Sequence, residues 1–290
     1  KAGAGWLVKH HPDLVRDAEF LLNEGDGIHI RPSGRKVVQI AVAEKTPCWV
    51  KLTAQGEPGH GSTPPPQTSV TRLVRALDKI RRYQPPIKVI PSVETYFAAL
   101  APFEAEPLRS KLQHLAIALE DPGFLTDFER NPRQNALIRN TITPTVLEAS
   151  AKTNVIPAEA SAQLDCRLLP GERPAEFLAS LSELISDDMV QVETTLSFPA
   201  SSSPENSQFV DAVRRLATSE LGGIPVVPSV IPGFTDSHYF RELGIASYGF
   251  APFVLGDDDG KTVHGPNEHV SVENLRNGVK RLVALLRLLS

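Results

Sequence analysis

The chain has 290 residues, enough for about two domains with a buried core. Hydrophobic residues make up 41% and charged residues 22%, a globular mixture that excludes wholesale disorder and fibrous repeats. Thirty basic against thirty-four acidic side chains give a net charge of −4, which argues against a general nucleic-acid or anionic-membrane binder and leaves a small or peptide-like ligand as the default.

Residue 1 is Lys, and 1–11 has no apolar core of the kind a secretion signal carries, so the sequence reads as a processed or truncated chain. Segment 2–9 reads as the end of a helix. A short apolar strand over 18–22 then runs into a polar loop at 23–27. Strands are expected at 37–43 and 48–53, followed by an ordered loop over 55–67 that is too rich in Gly and Pro for regular structure. Val70, Leu73, Val74, Leu77 and Ile80 recur at helical spacing, so 68–83 is an amphipathic helix with Thr68 as its N-cap.

Segment 85–132, rich in proline and short helical patterns, reads as an inserted helical subregion. The stretches 136–145, 146–157 and 160–169 read as an antiparallel meander, 174–185 as a helix and 190–198 as a strand. Ser201-Ser202-Ser203-Pro204 is the clearest linker signal. Beyond it come a helix (205–221), a strand (226–231), a short helix (237–243), a strand (247–252) and a closing helix (272–289). The pattern is that of an α+β domain inserted into an α/β domain. No apolar run approaches the roughly 20 residues of a membrane span. Cys48 and Cys166 lie far apart without metal-ligand spacing and read as buried or reduced thiols.

Four clusters carry chemistry: Glu24 with Asp26; His60 between two glycines; Thr235-Asp236-Ser237-His238; and His264-Gly265-Pro266-Asn267-Glu268. All follow strands, the usual position of α/β sites. Carboxylate and imidazole ligands without cysteine suit a catalytic metal better than a structural zinc. Each has a plainer reading too: a His before Gly is often only a loop residue, and an Asp after Thr is often a helix N-cap.

The ordered motifs Gly56-Glu57-Pro58-Gly59-His60-Gly61-Ser62-Thr63-Pro64, Arg139-Asn140-Thr141, Asn154-Val155-Ile156-Pro157, Asp165-Cys166-Arg167-Leu168-Leu169-Pro170-Gly171, Thr235-Asp236-Ser237 and His264-Gly265-Pro266-Asn267-Glu268 resemble the M20 family of metallopeptidases. Asn23-Glu24-Gly25, Phe128-Glu129-Arg130-Asn131-Pro132 and the 85–132 insertion resemble its carboxypeptidase S branch, which includes N-fatty-acyl amino acid hydrolases. The resemblance implies an α/β fold: a partial zinc-peptidase-like catalytic domain (1–48 and 204–290) with an inserted α+β, ferredoxin-like lid or dimerisation domain (49–203). It implies amide-bond hydrolysis assisted by two metal ions, zinc by family habit with cobalt or manganese as alternatives.

The resemblance carries roles onto individual residues. Glu24 and His264 match metal ligands, and Asp26 matches only a loop position. His60 matches the lid histidine that donates to the developing oxyanion, across the subunit boundary in dimeric relatives, and Asn140 matches an assisting Asn. Arg167 is a candidate for the substrate carboxylate, against the plainer reading of a surface ion pair. Asp236 either orients a ligand or caps the next helix. His238 stands where relatives often carry Arg, and His10, His11, His29, His114 and His269 read as surface residues. The expected partners are a peptide or N-acyl amino acid substrate and a second copy through the lid, with neither nucleic acid nor a membrane span.

The family's further motifs, an upstream His-x-Asp on a strand, a bridging Asp and a Glu-Glu pair, have no counterpart here. No Glu-Glu dipeptide occurs, and His11-Pro12-Asp13 lies too close to Glu24 to serve. The expectation is therefore a C-terminal portion of an M20 enzyme, inactive alone, whose parent hydrolyses amides. The alternative is a non-catalytic binding or dimerisation module derived from such an enzyme.

Overall fold

The computed structural model describes residues 3–31, 33–256, 262–263 and 265–290. In chain order its elements are α1 (Ala4–His10), β1 (Phe20–Ile30), β2 (Lys36–Glu44), β3 (Thr46–Gln55), β4 (Gly59–His60), α2 (Ser69–Arg82), α3 (Pro91–Leu100), α4 (Leu108–Gln113), α5 (Leu115–Ala118), α6 (Pro122–Glu129), α7 (Pro132–Leu137), β5 (Thr141–Glu148), β6 (Val155–Ile156), β7 (Glu159–Leu168), α8 (Pro174–Ile185), β8 (Val190–Ser197), α9 (Gln208–Glu220), β9 (Val226–Ile231), α10 (Ser237–Glu242), β10 (Ala246–Leu255) and α11 (Val272–Leu289). They form two compact units: Lys1–Glu44, Val89–Asn131 and Ser201–Ser290; and Lys45–Lys88 with Pro132–Ala200.

The first unit holds a mixed sheet in the order β1-β10-β2-β9, with β1 parallel to β10 and β2 parallel to β9. Val38, Ile40 and Val42 point from β2 to one face, where they meet Phe209, Val213 and Leu216 of α9 and Leu285 of α11. Tyr248 of β10 stacks on Phe209 at 4.7 Å between ring centroids, and its hydroxyl donates to Pro204 O. The linker-like serines are thereby pinned: Ser203 is buried and its N–H donates to Val42 O. A polar run that reads as a linker is part of the core's edge.

Two further expectations change in this unit. The loop anticipated at 23–27 is the middle of β1, which continues past two register irregularities to Ile30. The helical segment that the pattern groups with the lid belongs to the first unit: Tyr96 Oη donates to Gln39 on β2 at 3.2 Å, and Arg31 donates to Glu104 at 2.6 Å. Those polar ties join the segment to β2 and to the residue that follows β1, a connection that local patterning does not record.

The second unit reads β3-α2-β5-β7-α8-β8 with an antiparallel sheet in the order β5-β7-β3-β8, the split βαβ arrangement of a ferredoxin-like domain. Alternate residues Cys48, Val50, Leu52 and Ala54 of β3 and Ala162, Leu164 and Cys166 of β7 face α2 and α8. Burying Leu52 and Leu164 fully contributes about 1.5–3 kcal/mol each. Thr68 caps α2 as expected, in a capping box: its hydroxyl accepts from Thr71 N, and Thr71 Oγ1 accepts from Thr68 N. The meander is shorter than the pattern suggests. Residues 132–137 are helical, β5 runs unbroken through 146, and the chain between β5 and β7 holds only the two-residue β6, paired with β4.

Candidate functional site

In the first unit Glu24 lies on β1 with its side chain exposed. Its strand is held very close to β10: a Cβ on Gly25 would sit 2.6 Å from Gly249 Cα, and one on Gly249 would sit 2.7 Å from Glu24 O. Two glycines facing each other are what allow this approach. Beside Glu24, Asn23 Oδ1 accepts from Glu24 N, while Asn23 Nδ2 donates to Thr235 Oγ1 (3.2 Å) and Ser237 Oγ (3.0 Å). Asn23 thus ties the strand bearing Glu24 to the turn bearing Asp236.

That turn rests on a buried carboxylate. Glu44, the last residue of β2, accepts from Thr235 Oγ1 at 2.7 Å and from Thr235 N at 3.2 Å, and Arg241 lies 3.6 Å away. Burial pushes the Arg241 pKa down, opposed by the charge of Glu44. Asp236 is exposed and makes no capping bond; Thr235 Oγ1 accepts from Ser237 N in its place. Of the two readings of Asp236, capping is therefore absent. His238 is buried with Nδ1 at 2.8 Å from Thr235 O.

Asp26 is a core residue rather than a loop one. It is buried, accepts a short hydrogen bond from Ser229 Oγ, and lies 3.2 Å from His29 Nε2, which removes His29 from the surface set. His264 lies outside the described residues. Among the described residues no group of three or more His, Cys, Asp or Glu is placed to hold a metal ion. One exposed carboxylate does not make a tight centre, so these residues alone do not fit a bound metal.

In the second unit His60 is exposed on β4. Ser62 N donates to its Nδ1, and Ser62 Oγ lies 2.7 Å from the same atom. An accepting Nδ1 puts the proton of the neutral ring on Nε2, which makes that edge a donor. Asn140 is held through its oxygen: Oδ1 accepts from Leu169 N at 2.8 Å, which leaves the Nδ2 amide as the donor face. Arg167 is engaged on Asp165 through Nε (2.6 Å) and Nη2 (2.9 Å), with its Cζ 5.9 Å from the Trp49 ring centroid and the Trp49 indole donating to Asp165. The plainer reading of Arg167, an ion pair on a strand, is realised in this geometry.

Residues 42–193 match the family model described as a peptidase dimerisation domain, more than half of the chain. The chain belongs to the M20 peptidase family. Among M20 relatives it is 33% identical over 270 residues to the N-fatty-acyl-amino acid synthase/hydrolase PM20D1 of Mus musculus, covering 90% of this chain and 53% of that protein. It is 25% identical to the probable carboxypeptidase S-like 2 of Dictyostelium discoideum, covering 89% and 50%. The chain thus spans about half the length of these relatives. In fold it is similar to the M20 metallo-carboxypeptidase Sso-CP2 of Sulfolobus solfataricus (TM-score 0.66, 18% identity, 98% of this chain and 66% of that one). Human carnosine dipeptidase 1 is similar to the same degree (TM-score 0.66, 13% identity, 98% and 62%).

The motif residues of the M20 resemblance divide between the units: Glu24 and Asp236 in the first, His60, Asn140 and Arg167 in the second. The reading of motifs gave Asn23 no role of its own and passed over Glu44 and Lys45. The signal was present in the last two, since an adjacent Glu and Lys directly after the apolar run 37–43 have to be buried and paired or to end the strand.

Proposed function

We propose that the full-length protein is a metal-dependent hydrolase of amide bonds acting on N-acyl amino acids or on peptides with a C-terminal carboxylate. The observation that carries this is Asn140: its oxygen is occupied by Leu169 N, so the side chain presents an amide donor of the kind that steadies a developing oxyanion. His60 with its proton on Nε2 offers a second donor. Arg167 would bind the substrate carboxylate, sharing its guanidinium with Asp165. Asp236, exposed and free of capping, orients substrate. Glu24 and His264 are the ligands this chain contributes to a metal site, with zinc preferred and cobalt or manganese as alternatives.

The first unit then belongs to the catalytic domain and the second unit to a lid through which two copies pair. Because no Glu-Glu pair is present to act as base, the 290 residues alone should not turn over. The second reading is a non-catalytic binding or dimerisation module derived from such an enzyme. The test is release of free amino acid from a long-chain N-acyl amino acid and from a dipeptide, with zinc supplied. This chain is assayed beside a form bearing the upstream His-x-Asp and Glu-Glu motifs of the family. Hydrolysis by the longer form only, reduced at least about a hundredfold by Asn140→Ala, is expected. No hydrolysis by either form leaves the module.

A further inference from the structure

Among the described residues, Lys45 is the largest charged side chain with no exposure at all. A buried ammonium costs several kcal/mol of lost hydration and is retained only where its donors are used. All three are used here. Nζ donates to Ala136 O at 2.8 Å, to Arg139 O at 2.8 Å and to Thr141 Oγ1 at 3.4 Å. The last two acceptors belong to the residues on either side of Asn140, so the ammonium straddles that residue from below. On its other side Asn140 is fixed by Leu169 N. Every group in this set lies in the second unit.

From this geometry we propose that Lys45 is a positioning residue for Asn140: by gripping the carbonyl before it and the hydroxyl after it, Lys45 holds the Asn140 amide in the orientation from which Nδ2 donates. The inference rests on the reading of Asn140 as a donor to substrate. Placement is sensitive because α7 ends at Leu137 and β5 begins at Thr141, leaving only three residues to turn the chain. Those residues have no ladder of their own to fix Asn140. The Lys45 ammonium supplies the missing acceptor satisfaction at the α7 C-terminus, where carbonyls lack intrahelical partners and a cation is favoured. The charges bearing on Lys45 come from β7: Arg167 repels its proton and Asp165 attracts it. Both are the residues that meet in the Arg167 ion pair, so Lys45, Asn140 and Arg167 form one connected patch.

The readout is amide hydrogen exchange at Leu169 in the folded 290-residue chain, because that N–H reports the Asn140 oxygen directly. Lys45→Met should speed Leu169 exchange at least tenfold while Leu52 and Leu164, in the centre of the sheet, keep their protection. Asn140→Ala should speed it similarly, and the double variant should add nothing to either, which is the mark of one residue acting through the other. Additive effects, or a Leu169 amide unmoved in Lys45→Met, overturn the proposal. If Lys45→Met does not fold, Thr141→Val removes only the longest of the three bonds, and Leu169 exchange should rise severalfold; no change overturns the proposal. Hydrolysis by the longer form that survives Asn140→Ala would defeat the role of Asn140 and leave the coupling to Lys45 standing.

Discussion

At the residue scale, Lys45 also contributes to how stability responds to pH. Burial, with Arg167 adding to it, lowers its pKa to about 7 in the fold, against 10.5 for a free lysine. Between those values the unfolded chain holds a proton that the folded chain has lost, so unfolding becomes harder as pH rises through this window. The slope from this one group approaches about 1.4 kcal/mol per pH unit at its steepest. Below about pH 7 both states carry the proton and the contribution is flat. Urea unfolding at pH 7, 8 and 9 should therefore show a rise in stability in the native chain that is absent from Lys45→Met; parallel curves for the two would contradict it. Cys48 and Cys166 behave in the opposite sense. Burial pushes both thiols up, and neither is exposed, so they should resist iodoacetamide in the native chain at pH 8 and react fully in urea. Labelling of either thiol without denaturant would show that the β3–β7 core opens.

At the element scale, the parts most legible in the sequence are those fixed by local chemistry. The apolar spacing of α2, with Thr68 before it, specified that helix to within a residue, because the capping box needs only Thr68 and Thr71. Pro174 likewise opens α8 at the first helical position. Thr68→Ala should cost about 1 kcal/mol of unfolding free energy, measured by thermal melting, and no loss would mean water replaces the cap without penalty. The continuation of β1 past residue 22 was hidden for the reverse reason. Asn23-Glu24-Gly25-Asp26-Gly27 has the composition of a turn, yet Gly25 is there to let Gly249 approach and Asp26 to meet Ser229 across the sheet. Neither partner is near in sequence. Gly249→Ala, whose Cβ would strike Glu24 O, should destabilise the first unit by about 1–3 kcal/mol. Full stability in that variant would show that β1 and β10 can separate freely.

At the scale of the molecule, the alternation of elements sufficed to separate an α/β part from an α+β part, and ordered motifs sufficed for the family. The helical segment 89–131 was misplaced because its attachment runs through Tyr96–Gln39 and Arg31–Glu104, pairs far apart in sequence. The site was legible as residue types but not as support: Asn23, Glu44 and Lys45 act through hydrogen bonds to hydroxyls and backbone groups of residues far away in sequence. The second unit also bears on assembly. Its sheet has two edges, β5 and β8. β8 exposes Gln191 and Glu193, whereas β5 exposes Val146 and Leu147, and α2 exposes Val74. A groove of about 610 Å³ between α2 and β5 is lined by Leu77, Tyr83, Ile142, Pro144 and Leu147. Charged edges resist pairing and apolar ones invite it, so β5 with α2 is the face by which two copies should meet. Pro144 lacks an N–H and interrupts any strand-to-strand ladder there, so the apolar side chains rather than backbone bonds must supply most of the affinity. The groove also carries the Asp78–Arg81 ion pair, so the apolar contacts Val74 and Leu147 are the ones to charge. Sedimentation equilibrium should give a dimer for the native chain and a monomer for Val74→Glu with Leu147→Glu, with the dimer dissociation constant raised at least about a hundredfold. A native monomer at all concentrations, or a dimer that survives both charges, would place the contact elsewhere or remove it, and the matching pair Gln191→Leu with Glu193→Leu on β8 would then show whether the opposite edge is the one that pairs.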